Sequence, residues 1–277
     1  MQGVRRATDF DLASLSEVDR QELVCRVTAP RPLRIENSAL KFHVHSVTED
    51  ARIRKFKEPW TIEWLRSLRP DAVLYDVGAN IGITALVAAE SAGPGVKVVA
   101  IEPFPANFAS LVKNIQANGL NARVIPLAVG LGADTAIIPL HWVSDDPGGS
   151  LHSFGDIVVL SPNERIAPVS FHMCMSYRLD DLICMPGLPF PTHIKIDVDG
   201  GETAVLMGAA GVLADPRCRA VQVEVVDQGP ERACTCEIVA HLDRAGMNLV
   251  AAHAHGETYP RVFDLQFERV SGDRALG

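Results

Sequence analysis

The chain predicts an α/β fold with a mainly parallel sheet covered by helices on both faces, and three observations predict it. Short β-branched and apolar runs alternate with apolar-periodic segments of helix length from Val73 onward, the pattern of strands joined by helical crossovers. The first run, Val73 to Val77, stops at Gly78 and leads into the helical stretch Ile83 to Ser91, so a strand turns through glycines into a helix. Asp76, Glu102, Asp197 and Glu224 end the first, second, fourth and fifth strands, and ligands in open α/β sheets bind beyond those carboxyl ends.

The turn VLYDVGANIG is read as a cofactor loop. A strand ending in glycine before a helix leaves free backbone N–H groups and a positive dipole end at one place. A dinucleotide fingerprint needs a second glycine where this chain has Asn80, and no G-K-[ST] follows as a P-loop would require. What remains is Asp76, Gly78 and Gly82, with Glu102 at the tip of the next strand, where a carboxylate accepts from both hydroxyls of a ribose. The cofactor should therefore carry a ribose and no pyrophosphate, which fits S-adenosylmethionine.

DVGANIGIT, AIEPFPANFASLVKNIQAN, YRLDDL and HIKIDVDGGETAVLMGA, in that order and spacing, resemble the FkbM family of S-adenosylmethionine-dependent methyltransferases. The resemblance runs from about Pro59 to Val226. It implies a class I methyltransferase fold, Rossmann-like, with a mainly parallel seven-stranded sheet, and methyl transfer to a hydroxyl of a natural product or glycan. The cofactor set it implies is Asp76, Gly78, Ala79, Asn80, Gly82, Glu102, Pro103, Ala128 and Asp197.

At 277 residues and 47% hydrophobic the chain suits one large α/β domain, residues 59–277, with an N-terminal appendage of helix and short strands, residues 1–58. A net charge of −8 argues against a nucleic-acid partner. The basic run Arg52, Arg54, Lys55 and Lys57 reads as a solvated face ahead of a patch for an anionic substrate. Six cysteines show neither zinc spacing nor disulfide density, so reduced thiols in a cytoplasmic protein are expected. No stretch approaches the ~18 to 20 apolar residues of a membrane span. A homo-oligomer is compatible with the chain.

Taken in order, residues 1–31 carry helical spacing that stops at Pro30 and Pro32, and Ala39 to Ser46 alternates as a strand. His43 and His45 share one face of it. A metal bridging them lacks further ligands, so an exposed strand face is the preferred reading and no metal site is assigned. Pro59 opens a helix through Leu68, near which Glu58 and Thr61 are substrate candidates, weighed against a helix-start charge and a solvated residue. Phe104 to Leu120 is a helix stopped at Asn118-Gly119. Asn121 to Gly130 is the third strand, with Ala128 near its end, and Ala133 to Trp142 is a further strand. Val143 to Pro168 reads as loop, too polar and glycine-rich for a buried element, with Gly148, Gly149, Ser150 and His152 as substrate-loop candidates. A strand running into a short helix follows over Val169 to Leu182. Thr192 to Glu202 is the fourth parallel strand and its turn, with Ile194 and Ile196 on one face and Lys195 on the other. Helix, fifth strand, helix and a closing antiparallel pair over Asn248 to Val270 complete the fold.

In-line methyl transfer needs alignment and a proton acceptor. Asp197 is the first candidate as base or orienter and Glu224 the second, while Lys195 and Glu202 are expected to form a local ion pair. Clustered carboxylates also permit a divalent cation, which the resemblance does not demand. The competing readings are a Rossmann-type nucleotide-dependent oxidoreductase and a catalytically inactive S-adenosylmethionine-binding module.

Overall fold

The computed structural model describes residues 16–35, 38–56, 58–154, 158–161, 164–226, 233–256 and 261–269. Its main sheet is built from β1 (Val73–Val77), β2 (Lys97–Ile101), β3 (Val124–Leu127), β4 (His193–Ile196), β5 (Ala220–Val226), β6 (Met247–Ala254) and β7 (Val262–Arg269). The seven strands lie in the order β6-β7-β5-β4-β1-β2-β3. β1 to β5 run parallel, and β7 enters antiparallel between β5 and β6. The switch point falls between β1 and β4, which pair directly.

Two cores follow from the period-two alternation of strand side chains. Leu74, Val98 and Ala100 face one cluster with the helices Pro59–Arg66, Ile83–Ser91 and Pro105–Ala117. Tyr75, Val77, Val99, Ile101, Ile194 and Ile196 face the other with Glu202–Gly208, Ala210–Ala214 and Ala233–Arg244. Lys195 is thereby left on the first face, as its alternation predicts.

The N-terminal region reaches this first core. The helix Glu17–Thr28 precedes an antiparallel pair, Arg31–Ile35 and Ser38–Phe42. Asn118 clamps the second strand, accepting from Lys41 N at 2.8 Å and donating to Lys41 O at 2.7 Å, while Leu40, Phe42 and Ile53 join the core cluster. Sequence reading passes over the helix Val47–Lys55, although Ser46 and Glu49 form a full capping box at its start. Its basic residues are not simply a solvated face: Arg54 pairs with Asp50 at 2.9 Å, and Arg52 Nε donates to Gly148 O at 2.8 Å. Lys57 lies outside the described residues. Among the described residues, no helix is long and apolar enough to cross a membrane.

The strand expected over Ala133 to Trp142 forms as Ala136–Trp142, outside the main sheet. It pairs with Ser170–Tyr177, which also pairs with Gly130–Leu131, in a separate three-stranded sheet. The loop between them is less open than its composition suggests. Gly148 and Gly149 are buried, because neighbouring side chains satisfy their backbone groups.

At the switch point, Gly78 sits at φ +83°, and a Cβ there would lie 1.8 Å from the Asp197 carbonyl oxygen. The glycine is therefore required by close approach of β1's end to β4's end as well as by its dihedral. A side chain at this position therefore disturbs the fold itself and not the cofactor turn alone. Left-handed strain and overpacking add, so Gly78→Val should lower stability by about 3 kcal/mol or more. An unchanged urea midpoint would contradict the turn geometry.

Candidate functional site

The cofactor turn is internally satisfied. Gly78 N and Ala79 N both donate to Ile101 O at 3.0 Å, Gly82 N donates to Ala79 O at 2.8 Å, and Ile81 N donates to Asn80 Oδ1 at 2.9 Å. Asn80 N donates to Glu102 Oε2 at 2.8 Å, and Phe104 N donates to Glu102 Oε1 at 2.8 Å. The expected free amides are thus already in use, and Glu102 ties the first turn to the second. Asn80 holds φ +51°, a left-handed conformation that asparagine tolerates. Glu102 is buried, and burial lifts its carboxyl to about 7 against the two amide donors. Each oxygen retains lone-pair capacity for a ribose hydroxyl. Asp76 is also buried, its carboxyl raised to about 6 by burial against the opposing charge of Lys195, and its Oδ2 has no partner. Pro103 is half-buried beside Glu102, and Ala128 is exposed just beyond β3.

The stretch Asp146 to Leu151 is fastened over this turn. Asn80 Nδ2 and Asn107 Nδ2 donate to Gly149 O at 2.7 and 3.1 Å, and Gly148 N donates to Asn107 Oδ1 at 2.8 Å. Ser46 Oγ donates to Pro147 O at 2.7 Å, and Leu151 N donates to Asp199 Oδ2 at 2.6 Å. Ser150 is exposed. His152 packs on Phe104 with ring centroids 4.1 Å apart, both ring nitrogens lack partners, and burial, with Arg52 adding, lowers its imidazole to about 4.

A second group lies on the Lys195 face. Register places Asp76, Lys195 and Gln222 side by side across β1, β4 and β5, with Glu224 opposite Asp264 on β7 and Asp264 opposite His253 on β6. Residues paired across strands share a face, so a polar row crosses the sheet where it would otherwise be apolar. Its roof is the start of helix Pro59–Arg66. Thr61 is buried and accepts from Gln222 Nε2 at 2.7 Å, so it is neither solvated nor open. Trp60 Nε1 donates to Asp264 Oδ2 at 2.6 Å. Glu58 makes no capping bond; burial raises its carboxyl, and Asp264 and Asp197 add to the rise while Lys195 opposes it.

Lys195 Nζ donates to Asp197 Oδ2 at 2.8 Å with 3% of its side chain exposed. This replaces the expected Lys195–Glu202 pair, because Glu202 turns back to accept from Gly200 N at 2.9 Å. Burial opposes the Lys195 charge, but Asp197, Glu58, Asp76 and Asp264 together hold it well above the ordinary lysine value. Glu224 is pushed up to about 9, by burial first and by the charge of Asp197 next. Asp264 is lowered: burial acts against its charge, but His255, Lys195, Trp60 and Gln222 overcome it.

The sequence reading names Asp197, Glu224, Glu58 and Thr61 in this group and omits Lys195 as a site residue, Asp264 and His255. Glu224, His255 and Asp264 present ligand-type atoms within 4.8 Å of one another. Asp264 already accepts from Trp60, Gln222 and His255, so the arrangement is a hydrogen-bonded network rather than an open ligand set. His43 and His45 stack at 5.8 Å, and His45 Nδ1 lies 3.6 Å from Glu49 Oε2.

The strand order, the glycine turn at the switch point and the acids at the strand ends define a class I methyltransferase fold. The profile described as Methyltransferase FkbM domain matches residues 76–258, and the chain belongs to this family of methyltransferases. It is 29% identical over 269 residues to 31-O-demethyl-FK506 methyltransferase FkbM of Streptomyces tacrolimicus, covering 88% of this chain and 97% of that protein. It is 28% identical over 189 residues to hexuronic acid methyltransferase AglP of Haloferax volcanii, covering 68% and 71%. The crystal structure of methyltransferase FkbM from Methylobacillus flagellatus is similar in fold at a TM-score of 0.50 and 16% identity, over 76% of this chain. The match covers 49% of that longer chain.

Two outcomes test this geometry. Asn107→Ala removes two bonds to the clasp, so amide exchange of Gly148 to Leu151 should quicken by roughly ten-fold or more, as for ~1 to 3 kcal/mol of lost hydrogen bonding. Unchanged exchange would mean the clasp is held elsewhere. The raised Glu224 carboxyl keeps a proton in the fold that the unfolded chain releases above about pH 4.5. Its stabilising contribution is therefore full at low pH and lost as pH rises toward 9. The urea midpoint should fall between pH 7 and pH 8.5, and Glu224→Gln should flatten that fall; a rising profile would contradict the protonated state.

Proposed function

We propose that this methyltransferase takes its methyl group from S-adenosylmethionine and places it on a hydroxyl of a natural product or glycan. The observation that carries the reading is the buried, unpartnered Asp76 Oδ2 beside the Gly78 turn. A buried carboxylate oxygen without a donor is costly, and the α-ammonium of S-adenosylmethionine is a donor of matching charge. Glu102 would accept from the ribose hydroxyls, and Gly78, Ala79, Asn80 and Gly82 shape the turn beneath them. Pro103 and Ala128, which follow the ends of β2 and β3, would flank the same space. The names of the two relatives support the acceptor class, one specifying 31-O-demethyl-FK506 and the other a hexuronic acid.

When bound, the cofactor supplies an electrophilic methyl on a sulfonium sulfur. The chain's own part is to align an acceptor and exclude water. Asp197 has one oxygen occupied by Lys195, which suits it to orient a hydroxyl through Oδ1 rather than to remove a proton. Protonated Glu224 is a hydrogen-bond donor to the same acceptor. Glu58, Ser150 and His152 are the further acceptor-side contacts of this reading, while Thr61, closed off in the roof of the row, acts only through Gln222.

Calorimetry with S-adenosylmethionine and with NAD separates this reading from a nucleotide-dependent oxidoreductase. Release of S-adenosylhomocysteine in the presence of an acceptor alcohol separates it from an inactive binding module. Glu102→Ala should weaken S-adenosylmethionine binding by about 1.5 to 3 kcal/mol, as for a lost bond to a charged group. NAD binding with no S-adenosylmethionine binding would defeat the proposal, and unchanged affinity in Glu102→Ala would remove Glu102 from the site.

A further inference from the structure

The polar row ends in an imidazole that the assignments above leave unused. His255 lies just beyond β6, its backbone N donating to Val262 O at 3.0 Å. Its Nε2 is 2.8 Å from Asp264 Oδ2 and 3.7 Å from Glu224 Oε2, with 13% of the side chain exposed. Asp264 also accepts from Trp60 Nε1 at 2.6 Å and from Gln222 Nε2 at 3.1 Å. A carboxylate already held by two donors stays ionised and can only accept, so the 2.8 Å contact to His255 places the imidazole proton on Nε2. In the neutral ring the basic lone pair is then on Nδ1, which has no protein partner among the described residues. The ring is fixed from the side as well: Trp60 packs against His255 at 5.5 Å and against His253 at 5.4 Å.

We propose that His255, oriented by Asp264, is the group that takes the proton from the acceptor hydroxyl. The proposal rests on the methyltransferase reading above and names its base. As the hydroxyl oxygen bonds to the methyl carbon, the carbon–sulfur bond breaks with its electron pair leaving on sulfur. The hydroxyl proton passes to His255 Nδ1, and the imidazolium so formed is stabilised by Asp264.

The neighbouring acids are less suited to this step. Asp197 is engaged by Lys195, and Glu224 is held protonated in the neutral range. Around His255, the titratable groups that face it among the described residues are Asp264 on β7, Glu224 on β5, Glu58 at the helix start and Asp197 after β4. Burial works against its protonation, but the Asp264 bond and the charges of Asp264, Glu58 and Asp197 outweigh it, so the imidazole is more basic than a free one.

The first test does not require turnover. In the full chain with isotope-labelled histidine and bound S-adenosylhomocysteine, the His255 resonance, assigned by its absence in His255→Gln, should titrate above free histidine. Asp264→Asn should lower that midpoint by a pH unit or more. Should Asp264→Asn fail to fold, Trp60→Phe removes one donor to Asp264 and should move the midpoint upward instead. A His255 that titrates below free histidine, or whose midpoint ignores these variants, overturns the proposal.

The second test is turnover with 31-O-demethyl-FK506 and with 4-nitrophenyl β-D-glucuronide. His255→Gln should lower kcat by roughly 10²- to 10⁴-fold with S-adenosylmethionine affinity unchanged, and should remove the acid limb of the pH profile. Normal cofactor affinity with wild-type turnover in His255→Gln defeats this proposal alone, whereas absence of S-adenosylmethionine binding by the wild type defeats the methyltransferase reading on which it rests. Activity lost to a chelator and restored by Mg²⁺ would also overturn it, in favour of a metal-activated hydroxyl.

Discussion

A single buried ammonium governs the electrostatics of this sheet edge. Lys195 sits on a central strand, flanked in register by Asp76 on β1 and Gln222 on β5. Taking an ion out of water costs several kcal/mol even after relaxation. Here that cost is offset by the bond to Asp197 and by the nearby charges of Glu58, Asp76 and Asp264. The same cation limits the mutual repulsion of those acids, which would otherwise oppose their burial at one edge.

Because one cation cannot serve every carboxylate equally, the acids divide. Asp264, with three donors besides the field of Lys195, stays ionised below the usual range. Glu224, two residues beyond Gln222 on β5, has no such set of donors among the described residues and keeps its proton. Neighbouring carboxyls pushed in opposite directions are the usual basis for dividing acid and base work within one site. The helix Pro59–Arg66 maintains the division, since Trp60 donates to Asp264 and Thr61 accepts from Gln222.

Much of the fold is legible in the sequence because it rests on local pattern. Strand and helix alternate as the apolar periodicity indicates, and the glycine turn marks β1 and the switch point. Asp76, Glu102, Asp197 and Glu224 are visible as acids at strand ends. The remainder depends on contacts between distant segments. Arg52 and Gly148 meet across 96 positions, Trp60 and Asp264 across 204, and periodicity carries no record of such pairs. His255 was written in the sequence as the second histidine of a strand-end H-x-H, but its value depends on Asp264, which only register brings to it. The helix after Ser46 had a local signal, the S-x-x-E box, hidden by its low apolar content. Free amides at the turn were expected from the dipole argument, yet Ile101 and Glu102 occupy them.

Those occupied amides bear on how the two halves of the site communicate. A turn whose N–H groups are spent on β2 is prebuilt, and it is also locked to β4, where the Gly78 backbone meets the Asp197 carbonyl with no room for a methyl group. From Asp197 the side chain runs to Lys195 and the polar row, while Asn80 in the glycine turn holds Gly149 in the clasp. The glycine turn, the clasp and the polar row therefore meet at the ends of β1, β2 and β4. Methyl transfer tolerates little misplacement between the donor carbon and the accepting atom, and a glycine-sized contact between two parallel strands provides that constraint before either ligand arrives.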